Sequence, residues 1–163
     1  MVEGVNCYPP RMTDWLDADQ QRDWRAFIEG SIRLIDLMDR TLRERHGLTL
    51  AEFEILVRLS EAENQSMRMA DLAERAYYSR SRLSHRIRTM EARDLVTRTQ
   101  TPEDKRGVIA RLTETGAATL HQAAPTNLHT VRTHFIDLLD PADLQAVGRA
   151  MRAVTANLNN CPM

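Results

Sequence analysis

The chain has 163 residues, of which 42% are hydrophobic and 28% are charged, with six glycines and six prolines. These proportions are typical of a folded globular protein and exclude a disordered chain or a turn-rich all-β fold. Cys7 and Cys161 stand near opposite ends, without a CxxC pair or a nearby histidine cluster, so no metal site is expected. Because neither a signal sequence nor a run of about 18 apolar residues is present, we expect a cytoplasmic protein with no membrane partner.

Positive charge is concentrated in one segment. The whole chain carries a net charge of −1, but residues 75–106 contain nine Arg or Lys against four Asp or Glu, which is +5, so the remainder carries −6. A basic patch on an acidic body is typical of a protein that binds phosphate groups. A solvated helix face is the alternative interpretation of the same charge.

The first half of the chain is predicted to be helical after a flexible arm at residues 1–13. Apolar residues recur at helical spacing over residues 14–46, and Gly47 ends this helix. Thr49 and Glu52 form a capping-box pattern for a second helix that runs to about residue 62. The residues expected to be buried there are Phe53, Leu56, Val57 and Leu59.

A helix-turn-helix is predicted next. Residues 63–66 are expected to form a polar loop and residues 69–76 a short helix with Leu72 and Ala73 inward. Ser79 then caps a helix that runs to about residue 93. The short turn between the two helices is typical of DNA-binding helix-turn-helix units.

A wing and two more helices complete the prediction. Residues 95–100 and 108–112 alternate as strands do, on either side of a charged turn at residues 101–107. Thr113 is predicted to cap a long helix to about residue 139, with Pro125 as a kink or break. Asp140 and Pro141 begin a last helix, whose apolar residues have the spacing of a bundle seam: Leu144, Val147, Met151, Val154 and Leu158.

The helix after Ser79 has two opposed faces when its residues are placed at 100° intervals. Leu83, Ile87 and Met90 form a narrow apolar stripe, and the opposite face is small and basic with no acid before Glu91. Arginine can donate two hydrogen bonds to guanine in the major groove, and serine allows close approach to a phosphate or a base edge. We therefore predict a DNA-binding set on this helix and at the wing tip: Ser79, Arg80, Ser81, Arg82, Ser84, His85, Arg88, Lys105 and Arg106.

Two arginines have separate interpretations. Arg106 is predicted to enter the minor groove, held by Asp104, and a charged hairpin with no partner is the alternative. Arg86 falls beside the apolar stripe, so it is expected to point toward the body of the protein. For Arg86 we favour a structural role opposite a carboxylate over a role as a ligand-binding residue, and both stay open.

An enzyme is not expected. The five histidines have no H-E-x-x-H or nucleophile-elbow context, and both cysteines lie near the ends of the chain. No catalytic residue or cofactor is therefore predicted. A winged helix that binds a protein instead of DNA is the alternative from another functional class.

Three stretches resemble the signature of the MarR family of transcription regulators. They are residues 67–74 (MRMADLAE), 79–86 (SRSRLSHR) and 90–98 (MEARDLVTR), followed by the wing DKRG at 104–107 and LTETG at 112–116. The resemblance implies a mostly α fold with a small β-hairpin wing, in a homodimer that represses a pseudo-palindromic operator on double-stranded DNA. It assigns residues 49–112 to the winged helix-turn-helix DNA-binding domain and residues 14–48 and 113–163 to dimerisation.

The resemblance also implies release from DNA by a small-molecule effector. A urate-responsive subgroup of the family uses an acid, two arginines and an N-terminal tryptophan, and the matching residues here are Glu54, Arg86, Arg98 and Trp24 or Trp15. Glu54 departs from the aspartate of that subgroup. An anionic or phenolic effector is thus expected. Thiol-based redox sensing through Cys7 is the alternative, although no feature that would lower the pKa of its thiol is evident.

Overall fold

The computed structural model describes the backbone of residues 14–101 and 104–160. It divides into two compact units, one made of the described residues up to Ile32 and from Arg132 onward, the other of Arg33–Val131. The predicted arm at residues 1–13, together with Cys7 and Cys161, lies outside the described residues. Within the described residues, no helix is long and apolar enough to cross a membrane.

The described residues form six α-helices and a three-stranded antiparallel sheet. The fold is therefore mostly helical with a small sheet, as predicted. The helices are α1 (Ala18–His46), α2 (Leu50–Ser60), α3 (Met69–Arg75), α4 (Arg80–Glu91), α5 (Glu114–His134) and α6 (Pro141–Asn159), and the strands are β1 (Ser66–Arg68), β2 (Val96–Thr101) and β3 (Asp104–Leu112).

Capping motifs in the sequence predicted these helix ends correctly. Gly47, with φ of +64°, ends α1 in a left-handed conformation that favours glycine. Thr49 and Glu52 form the predicted capping box of α2. The hydroxyl of Ser79 accepts the amide hydrogen of Arg82 at the start of α4, and the carboxylate of Asp140 accepts two amide hydrogens at the start of α6. These short-range hydrogen bonds satisfy backbone donors that have no partner inside the helix.

The polar loop predicted at residues 63–66 was wrong in part. Residues Glu63–Gln65 form a 3₁₀ turn, and Ser66–Arg68 form the strand β1, which pairs with Arg111–Ile109 of β3. The sheet order is β1-β3-β2, so the wing hairpin has a third strand at its base. The hairpin is also longer than predicted, because β3 begins at Asp104 and pairs with β2 as far as Thr101.

The prediction for the long helix α5 was wrong about its end, and the break considered at Pro125 does not occur, whereas a kink there stays a prediction. The helix continues through Pro125 and ends at His134, five residues before the predicted end. Phe135 leaves helical geometry with φ of −144°, and a 3₁₀ turn at Ile136–Leu138 follows. Proline near the middle is compatible with a helix that bends or loses a single hydrogen bond, since tertiary packing offsets that cost.

One core holds the winged helix-turn-helix together within the unit of residues 33–131. Leu42, Leu48, Leu56, Leu72 and Val96 are among its fully buried side chains. Val57, predicted to be buried, is only half-buried, and Ile55 takes its place in the core.

Gly116 makes a close contact at the start of α5. A Cβ atom at this position would lie 2.0 Å from the carbonyl oxygen of Leu95, so only glycine fits without a backbone shift. The carboxylate of Asp94 accepts a hydrogen bond from the hydroxyl of Thr115, and the backbone carbonyl oxygen of Asp94 accepts one from the hydroxyl of Thr113. The turn between α4 and β2 is thus fastened directly to α5.

Candidate nucleic-acid interface

The buried side of α4 is the apolar stripe predicted from the sequence. Leu83, Ile87 and Met90 are each completely buried in the core. This packing fixes which side of the helix faces away from the protein, because residues three and four apart share a helical face.

The opposite side of α4 carries small and basic side chains. Ser81, Arg82, His85 and Arg88 are exposed, as are Ser79 and Arg80 at the start of the helix, and Ser84 is half-buried. The first turn contains no acidic residue. With its free amide groups and the positive end of its dipole, this helix start offers a favourable site for a phosphate or a base edge.

A basic groove lies beside the start of α4. It has a volume of about 330 Å³, and three arginines from different elements line it: Arg68 at the end of β1, Arg80 on α4 and Arg98 on β2. The remaining lining comes from Met69, Ala70, Ser84, Gly107 and Val108. Arg68 was missed by the sequence prediction because β1 was not predicted, so nothing placed it near α4.

The acid that ends the basic face, Glu91, is neutralised within the protein. Arg98 donates to its Oε2 from Nε at 3.0 Å and from Nη2 at 2.6 Å, and the Arg98 amide donates to its Oε1. The hydrogen bond from the Arg98 side chain and the charge of that arginine hold the pKa of Glu91 below its ordinary value. Glu91 therefore adds little repulsion toward a DNA phosphate.

The wing tip is described only in its backbone. Lys105 and Arg106 belong to β3, but their side chains lie outside the described residues, as does that of Asp104. The predicted contacts of Arg106 with the minor groove and with Asp104 stay predictions.

Arg86 points toward the body of the unit, as its helical angle predicted. Its Nη1 donates to the hydroxyl of Thr49 at 3.4 Å, and its guanidinium carbon lies 5.5 Å from the centre of the Tyr78 ring. Its positive charge also acts on Asp39 of α1.

Asp39 joins the last part of α1 to the start of α2. Its Oδ1 accepts the amide hydrogen of Leu50 at 2.8 Å, and Arg43 donates to its Oδ2. Burial acts to raise the pKa of Asp39, but the hydrogen bonds from Arg43 and Leu50 and the charges of Arg43 and Arg86 outweigh it. The pKa of Asp39 consequently lies below its ordinary value.

The other residues predicted for an effector have separate partners. Glu54 forms an ion pair with Arg58 of its own helix at 3.6 Å, and Arg98 is engaged by Glu91. Trp24 belongs to the other unit, where its ring lies 5.9 Å from that of Phe27, and Trp15 in that unit is almost fully exposed. Among the described residues, no hydrogen bond or ion pair links Glu54, Arg86 and Arg98 to one another.

Comparison with known proteins gives the family. The MarR family model matches residues 48–108. The crystal structure of AbsC, a MarR family transcriptional regulator from Streptomyces coelicolor, is 42% identical, covers 90% of this chain and 99% of that chain, and has a TM-score of 0.87. The chain belongs to the MarR family. No curated protein matches the sequence.

Two further MarR-family structures contain DNA. Sco3205 from Streptomyces coelicolor, solved in complex with DNA, is 38% identical over 88% of this chain and 94% of that chain, with a TM-score of 0.87. A mutant of MarR from E. coli, complexed with operator DNA, is 19% identical, covers 85% of this chain and 99% of that chain, and has a TM-score of 0.72. At that identity the second likeness shows the fold alone.

Proposed function

We propose that the chain is a homodimeric repressor that binds a pseudo-palindromic operator on double-stranded DNA and leaves it when a small anionic or phenolic molecule binds. The proposal of DNA binding rests mainly on the difference between the two faces of α4. Its apolar stripe is fully buried, while the opposite side presents serines, arginines and a histidine to solvent with no acid in the first turn. A helix of this shape and charge fits the major groove.

The surroundings of α4 support the same function. Arg68 and Arg80 contribute positive charge to the groove beside the helix start, and Arg98 in its lining neutralises Glu91. Positive groups on several elements can follow the phosphates on both sides of a groove, which makes binding strong at low salt and weaker at high salt. We assign DNA binding to residues 49–112, of which residues 49–108 lie in the region that matches the family model.

Exposed apolar side chains support the homodimer. In the unit formed by the two ends of the chain, Trp24, Phe27 and Ile32 of α1 are exposed, as are Val154 and Leu158 of α6. Large apolar side chains that remain exposed together on a soluble protein usually mark an interface. We therefore assign residues 14–48 and 113–163 to dimerisation, and a two-fold dimer would present two copies of α4 to two half-sites.

For the effector we retain Arg86 as the candidate anion-binding residue. It is half-buried, and its described contacts are one long hydrogen bond to Thr49 and the face of Tyr78. A carboxylate or phenolate would form a shorter, charge-assisted hydrogen bond with this guanidinium. Glu54 and Arg98, in the same unit as Arg86, remain secondary candidates for this ligand, and the role of Trp24 stays a prediction.

A mobility-shift experiment tests the DNA-binding function. The probes are the DNA upstream of the protein's own gene and a random-sequence duplex of equal length, each titrated at low and moderate salt. We expect tighter binding to the upstream fragment. No shift on any palindromic promoter fragment at low salt would contradict the proposal and favour a winged helix that binds a protein.

The effector is tested on the same complex. A panel of small aromatic acids and phenols is added to wild-type protein and to Arg86→Ala, and release of the duplex is measured. We expect at least one compound to release wild-type protein and to lose its effect on the variant. Equal release of both proteins by every active compound would remove Arg86 from the ligand site.

A further inference from the structure

The side of α4 that faces α1 and α2 carries two arginines seven residues apart. Arg86 lies within the helix, and Arg93 follows just beyond its end at Glu91. Both side chains reach the junction of α1 and α2: Arg86 donates to Thr49, and Arg93, whose side chain is 39% exposed, donates to Glu52 and to Gly47.

Arg93 contacts a buried carboxylate on α2. The side chain of Glu52 is only 6% exposed, and its Oε1 accepts a hydrogen bond from Arg93 Nη1 at 3.2 Å. Its Oε2 accepts hydrogen bonds from the amide and the hydroxyl of Thr49 at 2.8 Å and 3.0 Å. One carboxylate therefore serves both as the cap of α2 and as the partner of Arg93, and a buried charge needs such partners.

The same arginine also reaches the end of α1. Arg93 Nη2 donates to the carbonyl oxygen of Gly47 at 2.9 Å, at the left-handed residue where α1 ends. Arg86 donates to the hydroxyl of Thr49, and its charge acts on Asp39, which holds the amide of Leu50. We call these contacts the junction cluster, made of Asp39, Thr49, Glu52, Arg86 and Arg93.

From this geometry we infer that Arg93, acting through Glu52 and Gly47, is a positioning residue for DNA recognition, which fixes the angle of α4 against the junction of α1 and α2. The inference rests on the proposed function, because it concerns how α4 meets DNA. Arg93 differs from the predicted DNA contacts in that its guanidinium is engaged by two groups of its own chain.

The expected consequence is selectivity for sequence and half-site spacing. Binding to phosphates tolerates a small tilt of the helix, because charges act over a distance. Hydrogen bonds to base edges are lost when the helix tilts, because their geometry is strict. Two half-sites at a fixed separation also require a fixed direction of α4 in each subunit. Losing the junction cluster should therefore weaken operator binding far more than binding to random DNA.

The test compares Arg93→Met with wild type. Methionine keeps an unbranched stem but removes both hydrogen bonds. The probe is a duplex that the wild-type protein selects from a randomised library, measured beside a random-sequence duplex and beside a derivative with its half-sites one base pair further apart. We expect affinity for the selected duplex to fall about tenfold, within the range for residues that act through a neighbouring element. Affinity for random DNA should stay within about twofold, with an unchanged salt slope.

Two further variants separate positioning from general effects. Arg40→Met removes an arginine of α1 whose ion pair with Asp36 at 3.4 Å is exposed, and it should behave as wild type while changing the net charge equally. Arg93→Lys keeps a charge for Glu52 but cannot bridge two acceptors in the same way, so its operator affinity should fall between those of wild type and Arg93→Met. Thermal unfolding of each variant identifies a folding defect.

Each outcome decides the inference. A reduced preference for the original half-site spacing in Arg93→Met, with partial rescue by Arg93→Lys, supports it. Equal losses on selected and random duplexes would show that Arg93 itself binds phosphate and would overturn it. Unchanged operator binding with a lower melting temperature would overturn it as well. If wild type selects no duplex, the proposed function fails, whereas normal selection by Arg93→Met contradicts only the positioning role.

Discussion

Four arginines in α4 and just after it form two pairs with different surroundings. Arg82 and Arg88 are exposed on the side away from the core. Arg86 and Arg93 lie on the side toward α1 and α2, where they contact Thr49, Glu52 and the carbonyl oxygen of Gly47. Residue type alone does not separate these two pairs, but the contacts of their side chains do. The outward pair is available to a partner, and the inward pair determines how the helix is held.

The largest effect on stability is expected from a substitution in the apolar stripe of α4. Leu83→Ala should lower the free energy of unfolding by about 2–5 kcal/mol, because it removes a fully buried side chain and leaves a cavity. Urea unfolding followed by circular dichroism measures this. The exposed Glu74→Ala on α3 is the control, with an expected change below about 0.5 kcal/mol. Similar losses for both variants would contradict the assigned core.

The outward side is tested by Arg88→Ala. If Arg88 contacts a base, operator binding should weaken by about 1–3 kcal/mol with little change in stability, because its side chain is exposed. Equilibrium binding to the selected and random duplexes measures the effect. An equal loss on both duplexes would assign Arg88 to a phosphate, and no loss on either would remove it from the interface.

The inward side is tested by Thr49→Ala. This change removes the side-chain cap of α2 and the acceptor of Arg86, so the free energy of unfolding should fall by about 1 kcal/mol. Chemical denaturation of Thr49→Ala is compared with that of Thr155→Ala, whose hydroxyl bonds to Met151 within α6 on an exposed surface. A loss no greater than that of the control would show that the capping box contributes little.

The smallest effect is a pH dependence at Asp39. The pKa of this carboxyl is depressed in the folded protein, so its ionised form stabilises the fold at pH values above the unfolded pKa of about 3.9. That stabilisation is lost as the pH falls through the depressed folded pKa. The stability difference between wild type and Asp39→Asn should thus shrink as the pH is lowered from 6 toward about 3. A difference that stays constant would contradict the depressed pKa.

Local signals made much of the fold predictable from the sequence. The caps at Thr49, Ser79 and Asp140 depend on residues only two or three positions away, so the sequence displays both partners together. The faces of α4 follow from helical periodicity alone. The inward direction of Arg86 was confirmed, although its hydrogen-bond partner is the hydroxyl of Thr49 and not the expected carboxylate.

Features that depend on distant contacts were missed. Strand β1 has three residues and no visible alternation, and it exists because it pairs with β3 more than 40 positions later. Arg93 was counted only as positive charge, since its partners Glu52 and Gly47 lie 41 and 46 positions away. Arg68 was overlooked because its place beside α4 depends on β1. Nothing in the residues around His134 indicated that α5 would end there.

The pairing of β1 with β3 has a consequence for how such a protein leaves DNA. Because β1 leads directly into α3, the wing hairpin is hydrogen-bonded at its base to the strand that begins the helix-turn-helix. A hinge at the base of the wing would have to break those backbone hydrogen bonds. Contacts in the two grooves are therefore expected to be lost in one concerted step, and dissociation from a half-site should follow a single exponential.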